Sequence, residues 1–165
     1  MLKKFIVILV VIILIIVLFK NDEKIIEISN DTAINDRYTK EEYYGYLKIP
    51  SINMNLGFYD YDNPLNDVES NIELIKIPVE NSYLIAAHSG VGDIAYFNDL
   101  RSLEVGDDIY LEILDEEKHF QVINIYRTIK DGNISISKNS GMIYLTTCDQ
   151  IVKGYQLVIE GVLVS

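Results

Sequence analysis

The chain contains no tryptophan, three prolines and a single cysteine among its 165 residues. One thiol cannot close an internal disulfide, so the fold is not a disulfide scaffold and an apolar core must hold it. Basic residues are scarce as well: 14 lysines and arginines stand against 25 aspartates and glutamates, a formal net charge of −11. A surface of that sign repels phosphates, which argues against nucleic acid as a partner. Two histidines, His88 and His119, and the lone cysteine, Cys148, fit no zinc spacing. A single thiol also lacks the resolving partner that peroxide sensing needs. No cofactor motif is present: residues 89–92, Ser-Gly-Val-Gly, have the glycines of a phosphate cradle, but no helix with a lysine follows. Internal repeats and low-complexity tracts are absent.

What the chain does have begins with an unbroken apolar run at residues 5–19, flanked by Lys3, Lys4 and Lys20. As a helix it would be roughly 22 Å long at 1.5 Å per residue. That is short of a ~30 Å hydrocarbon core, but the flanking lysines can snorkel and the bilayer can thin. A cleaved signal peptide has an apolar core of similar length, yet no small residues follow the run to form a cleavage site. The reading is therefore an uncleaved anchor at 5–19 with residues 1–4 inside the cell and the acidic remainder outside. Residues 20–43 are polar and mixed in charge, and read as a stalk.

From residue 44 the texture changes to short apolar segments separated by turns, 49% of the chain being hydrophobic overall. Strands are predicted at 46–49 and 55–59, at 82–87, at 109–114 and 120–128, at 142–147 and at 155–164. A weak helical pattern covers 67–76, and a short helix is predicted at 95–103 with Phe97, Leu100 and Leu103 on one face. About eight short strands with one or two short helices predict a mainly β fold, a closed barrel. A lone cysteine is more often a small buried hydrophobe than a catalyst. Cys148, however, ends the strand at 142–147, and His88 directly follows the strand at 82–87. Thiol and imidazole at the ends of two strands can meet if those strands share a sheet. His119, between Lys118 and Phe120, is the alternative base and reads as the start of an exposed hairpin strand.

The segments Leu145-Thr146-Thr147-Cys148-Asp149 and Ala86-Ala87-His88-Ser89 resemble the signature of the sortases, the cysteine transpeptidases of Gram-positive cell surfaces. Gly45-Tyr46-Leu47-Lys48-Ile49-Pro50-Ser51-Ile52 is similar to that family's opening strand. The stretch from Phe97 through Leu100 and Leu103 to Gly106-Asp107 is similar to another of its segments. The resemblance covers residues 44–165. It implies a sortase-like barrel, Cys148 as nucleophile and His88 as general acid and base. It also implies a Leu-Pro-x-Thr-Gly-like sorting signal as substrate, a peptidoglycan-precursor or pilin amine as acceptor, and membrane attachment without a cofactor. One position departs from the pattern. Where the family carries an arginine early in the last strand, this chain has Gln156, with Lys153 or a mobile arginine as the other possible sources of charge. Gln156 and Thr147 are the expected oxyanion and substrate contacts. Tyr144 stands where threonine is usual. A sortase-fold protein that binds sorting signals or assists another sortase, without efficient catalysis, is the alternative that Gln156 favours.

Overall fold

Alternation of apolar and polar side chains decides the architecture. In β1 (Gly45–Ile49), Leu47 and Ile49 are buried while Tyr46 faces water. In β5 (Asp108–Ile113), Ile109 and Leu111 are the buried pair. The computed structural model describes residues 43–165. The expected anchor at 5–19, residues 1–4 and all but the last residue of the stalk at 20–43 lie outside them. Among the described residues no helix is long and apolar enough to cross a membrane.

The remaining strands are β2 (Met54–Phe58), β3 (Glu73–Ile75), β4 (Tyr83–Ala86), β6 (Glu116–Ile129), β7 (Met142–Cys148) and β8 (Tyr155–Leu163). They form one eight-stranded sheet in the order β2-β1-β5-β6-β8-β7-β4-β3. Only the β4–β7 pair is parallel. The sheet curls into a nearly closed barrel rather than the closed one expected, because its end strands β2 and β3 do not pair with each other. Its inner face is the main core, where Phe58, Ile85, Phe120, Ile143, Leu145 and Ile159 meet. Each such side chain, fully buried, contributes about 1.5–3 kcal/mol.

Two expectations fail for physical reasons. The pattern at 67–76 is not helical: Ile72 and Leu74 are buried at a period of two, and β3 forms there. Leu74 N–H donates to Asn66 Oδ1 at 2.7 Å, and Asn66 Nδ2 donates to Leu74 O at 3.0 Å. The helix expected at 95–103 is a 3₁₀ turn, Asn98–Ser102. Phe97, Leu100 and Leu103 recur every third residue, the period at which side chains align on a 3₁₀ helix. Only one other 3₁₀ turn occurs among the described residues, at Pro50–Ile52.

Strand β6 carries a bulge. Its register against β8 shifts between Val122 and Asn124, leaving Ile123 unpaired. One extra residue exchanges the two faces for the rest of the strand. Before it Phe120 and Val122 face the core; after it Ile125 packs on the core and Arg127 takes the same face out at the exposed rim, the two paired with Ile159 and Leu157. Strand β7 is buried on both faces, which explains its continuous apolar run. Ile143 and Leu145 point inward, while Met142 and Tyr144 pack with Leu84 beneath Ile134 and Ile136 of the loop at 130–141. The Tyr144 hydroxyl accepts a hydrogen bond from Ser137 N–H at 2.8 Å, tying that loop to the sheet.

Candidate active site

The parallel pairing of β4 with β7 sets the site. Ala86 lies beside Thr146, and the two chains stay in step beyond the ladder. Ala87 N–H donates to Thr146 O at 3.3 Å, Thr147 Oγ1 to Ala87 O at 2.8 Å, and Ser89 Oγ to Cys148 O at 2.5 Å. His88, two residues past the end of β4, therefore stands level with Cys148 at the end of β7, at one rim of the barrel. Neighbouring strands lie about 4.8 Å apart, and this in-step course sets the backbones of His88 and Cys148 side by side two residues past the last ladder pair, Ala86 and Thr146. Both are partly exposed. Glu69 Oε1 lies 3.4 Å from His88 Nε2, a long contact at the surface. His119 belongs elsewhere: its Nε2 is 2.7 Å from Asp108 Oδ1 and its ring stacks on Tyr110.

Register carries the outer face across three strands. Cys148 pairs with Gln156 of β8, and Gln156 with Thr128 of β6. Gln156 is buried, and its Nε2 donates to Asn133 O at 2.8 Å, so one amide proton is already used. Thr147 points to the other face, with its hydroxyl spent on Ala87 O. Lys130 follows β6, and its Nζ donates to Cys148 Sγ at 2.9 Å. Tyr126, one row below Thr128, keeps its phenol proton at neutral pH. Burial, then the charge of and hydrogen bond to Glu160, push its hydroxyl up to about 12.

On the inner side of the rim Arg127 pairs with Asp149, whose side chain is 3% exposed. Asp149 Oδ1 also accepts N–H bonds from Ile151 at 2.7 Å and Val152 at 3.0 Å. Removal from water works to raise the Asp149 pKa, but those two N–H groups and the guanidinium outweigh it and hold the carboxyl below its ordinary range. Arg101 donates to Gln150 Oε1 at 3.1 Å, and Gln150 in turn bonds Asn98. A shallow recess between these groups reaches Cys148. Among the described residues no cluster of three or more histidines, cysteines or carboxylates could hold a metal.

The sequence model of the Sortase domain matches residues 47–164. This chain belongs to the sortase family. Among solved structures, the sortase resembles sortase C1 of GBS pilus island 1, with a TM-score of 0.63 and 22% identity over 75% of this chain and 65% of that one. It thus spans about two thirds of that relative's length. Sortase C from Clostridium perfringens SM101 gives a TM-score of 0.60 and 26% identity over 76% of this chain and 71% of the other. A lid mutant of sortase A from Corynebacterium diphtheriae gives 0.64 and 20% over 80% and 75%. No curated protein matches the sequence.

Sequence reasoning named Cys148 and His88, which the fold sets at one rim, and missed the groups their side chains meet, Lys130 and Glu69. Ser89 stood next to His88 and was readable as a hydroxyl at a strand end. Glu69 and Lys130 carried no signal, being distant in sequence from the residues they meet.

Proposed function

We propose that this sortase is a membrane-anchored cysteine transpeptidase acting outside the cell on a Leu-Pro-x-Thr-Gly-like sorting signal. The observation that supports this reading is the in-step course of β7 and the chain leaving β4, which sets His88 level with Cys148. In the first step the Cys148 thiolate attacks the threonine carbonyl carbon, and the carbonyl π pair moves onto oxygen. As the tetrahedral intermediate collapses, the C–N bond to glycine breaks and the leaving amine takes a proton from the His88 imidazolium. A thioester remains on Cys148. An amine of a cell-wall precursor or a pilin subunit then attacks that carbonyl, gives its proton to neutral His88, and expels the thiolate. The new amide joins the surface protein to its acceptor, and the anchor at 5–19 keeps the domain where both substrates emerge.

The test uses the full chain in detergent with a Leu-Pro-x-Thr-Gly peptide and an amine acceptor. A thioester mass on Cys148, absent in Cys148→Ala, and an amide product that needs His88 are expected. Peptide binding with neither thioester nor product sinks the enzymatic reading. It would favour the second reading, a sortase-fold binder of sorting signals, which the neutral Gln156 beside Cys148 supports.

A further inference from the structure

We infer that Lys130 is a catalytic residue of this site, supplying the positive charge at the reacting sulfur and at the oxyanion that forms beside it. The inference rests on Cys148 being the nucleophile, as proposed above. Its primary observation is geometric: Lys130 Nζ lies 2.9 Å from Cys148 Sγ. An ammonium has three N–H donors. One can hold the sulfur while another meets the carbonyl oxygen, which during attack is a bonded neighbour of the carbon that sulfur approaches.

Three features make the contact more than a passing reach of a long side chain. First, the bulge at Ile123 exchanges the faces of β6, so the row Tyr126, Thr128, Lys130 shares the outer face with Cys148. Without that extra residue Lys130 would fall on the inner side. Second, the lysine is fixed at its root: its N–H donates to Gly154 O at 2.9 Å, and three residues on, Gln156 holds Asn133 O. Gln156 thus acts on the segment that carries the lysine. Third, no carboxylate competes for the ammonium. Among the described residues Lys130 makes no ion pair, whereas Arg127 is bound to Asp149 and Arg101 to Gln150. Preorganised charge at a developing oxyanion is worth far more than charge that must be recruited.

The test compares Lys130→Met, which keeps the stem and removes the charge, with Lys130→Arg in the full chain in detergent. Lys130 is exposed, so both variants should unfold at the wild-type temperature. With the sorting peptide and amine, kcat should fall roughly a hundredfold in Lys130→Met with little change in KM, and Lys130→Arg should retain most of it. A second readout needs no turnover: the ratio of Cys148 alkylation rates with anionic iodoacetate and neutral iodoacetamide. A cation at the sulfur favours the anion, so the ratio should drop several-fold in Lys130→Met and hold in Lys130→Arg. An unchanged ratio overturns the inference, and so does an unchanged kcat in an active enzyme. If wild type turns over no peptide, the transpeptidase reading falls. The alkylation ratio alone then decides whether Lys130 acts on the sulfur.

Discussion

Arg127 and Lys130 leave the same end of β6 three residues apart and meet opposite fates. Arg127 points to the inner side and is bound to the nearly buried carboxylate of Asp149. Lys130 points to the outer side and meets a sulfur. The guanidinium is the better anion binder of the two, with a planar fork of donors. Its charge is nonetheless spent, because Asp149 cannot give it up without leaving a buried charge unpaired. Availability, more than the type of cation, separates a structural charge from one that can act. The inner side of the rim is thus scaffold: Asp149 gathers the N–H groups of Ile151 and Val152 and shapes the turn after Cys148. On the outer side, the Lys130 ammonium meets the Cys148 sulfur and, among the described residues, no carboxylate.

Substitutions can break this division, and the largest effect should come from the outer side. Cys148→Ala should lower transpeptidation on the order of ten-thousandfold or more, measured as amide product, while the unfolding midpoint stays near wild type. His88→Ala should cost about 10²–10⁴-fold in kcat/KM and leave slow alkylation of Cys148 intact. A His88→Ala enzyme of wild-type rate would move the proton transfer to another group.

On the inner side the effect should appear as stability. Asp149→Asn should lower it by about 1–3 kcal/mol, because the Arg127 pair is lost, read from urea unfolding at pH 7. The pH dependence has a definite sign. The folded Asp149 pKa lies below its ordinary value, so its contribution is complete above the unfolded carboxylate pKa, near 4. It is lost as pH falls through the lower folded value. Wild type and Asp149→Asn should therefore differ by a constant amount from pH 7 to about 5 and converge below about 4. A difference that grows on acidification would contradict the pairing.

The smallest effect should come from Gln156→Arg, which places a second cation beside Cys148. With Lys130 already supplying charge, kcat should rise less than about tenfold. In the Lys130→Met background the same change should restore a larger share. A large gain with Lys130 intact would mean that the lysine does not reach the oxyanion.

The residues also explain what could be read before any coordinates. Leu47 with Ile49 and Ile109 with Leu111 alternate cleanly, so their strands were legible. Cys148 and His88 were legible because each closes an apolar run, and parallel strands put run ends at one rim. β3 was not, since Glu73-Leu74-Ile75 takes its hydrogen bonds from β4 and from the Asn66 side chain, neither visible locally. Phe97, Leu100 and Leu103 were assigned to the right face but the wrong helix, the spacing of three counting for more than it seemed. Lys130 was invisible for a different reason. Its facing depends on a single unpaired residue, Ile123, and a bulge changes parity without changing the look of the strand.

Asn66 has one more consequence. Strand β3 ends the sheet, and an end strand offers its free N–H and C=O groups to any passing chain. Leu74 has no such groups to offer, because the carboxamide of Asn66 bonds both, like a single peptide unit of a missing ninth strand. A barrel left one pairing short of closure would otherwise be prone to zip edge to edge with its copies where they crowd. One side chain, placed eight residues before its partner, closes that route at the β3 edge without lengthening the sheet.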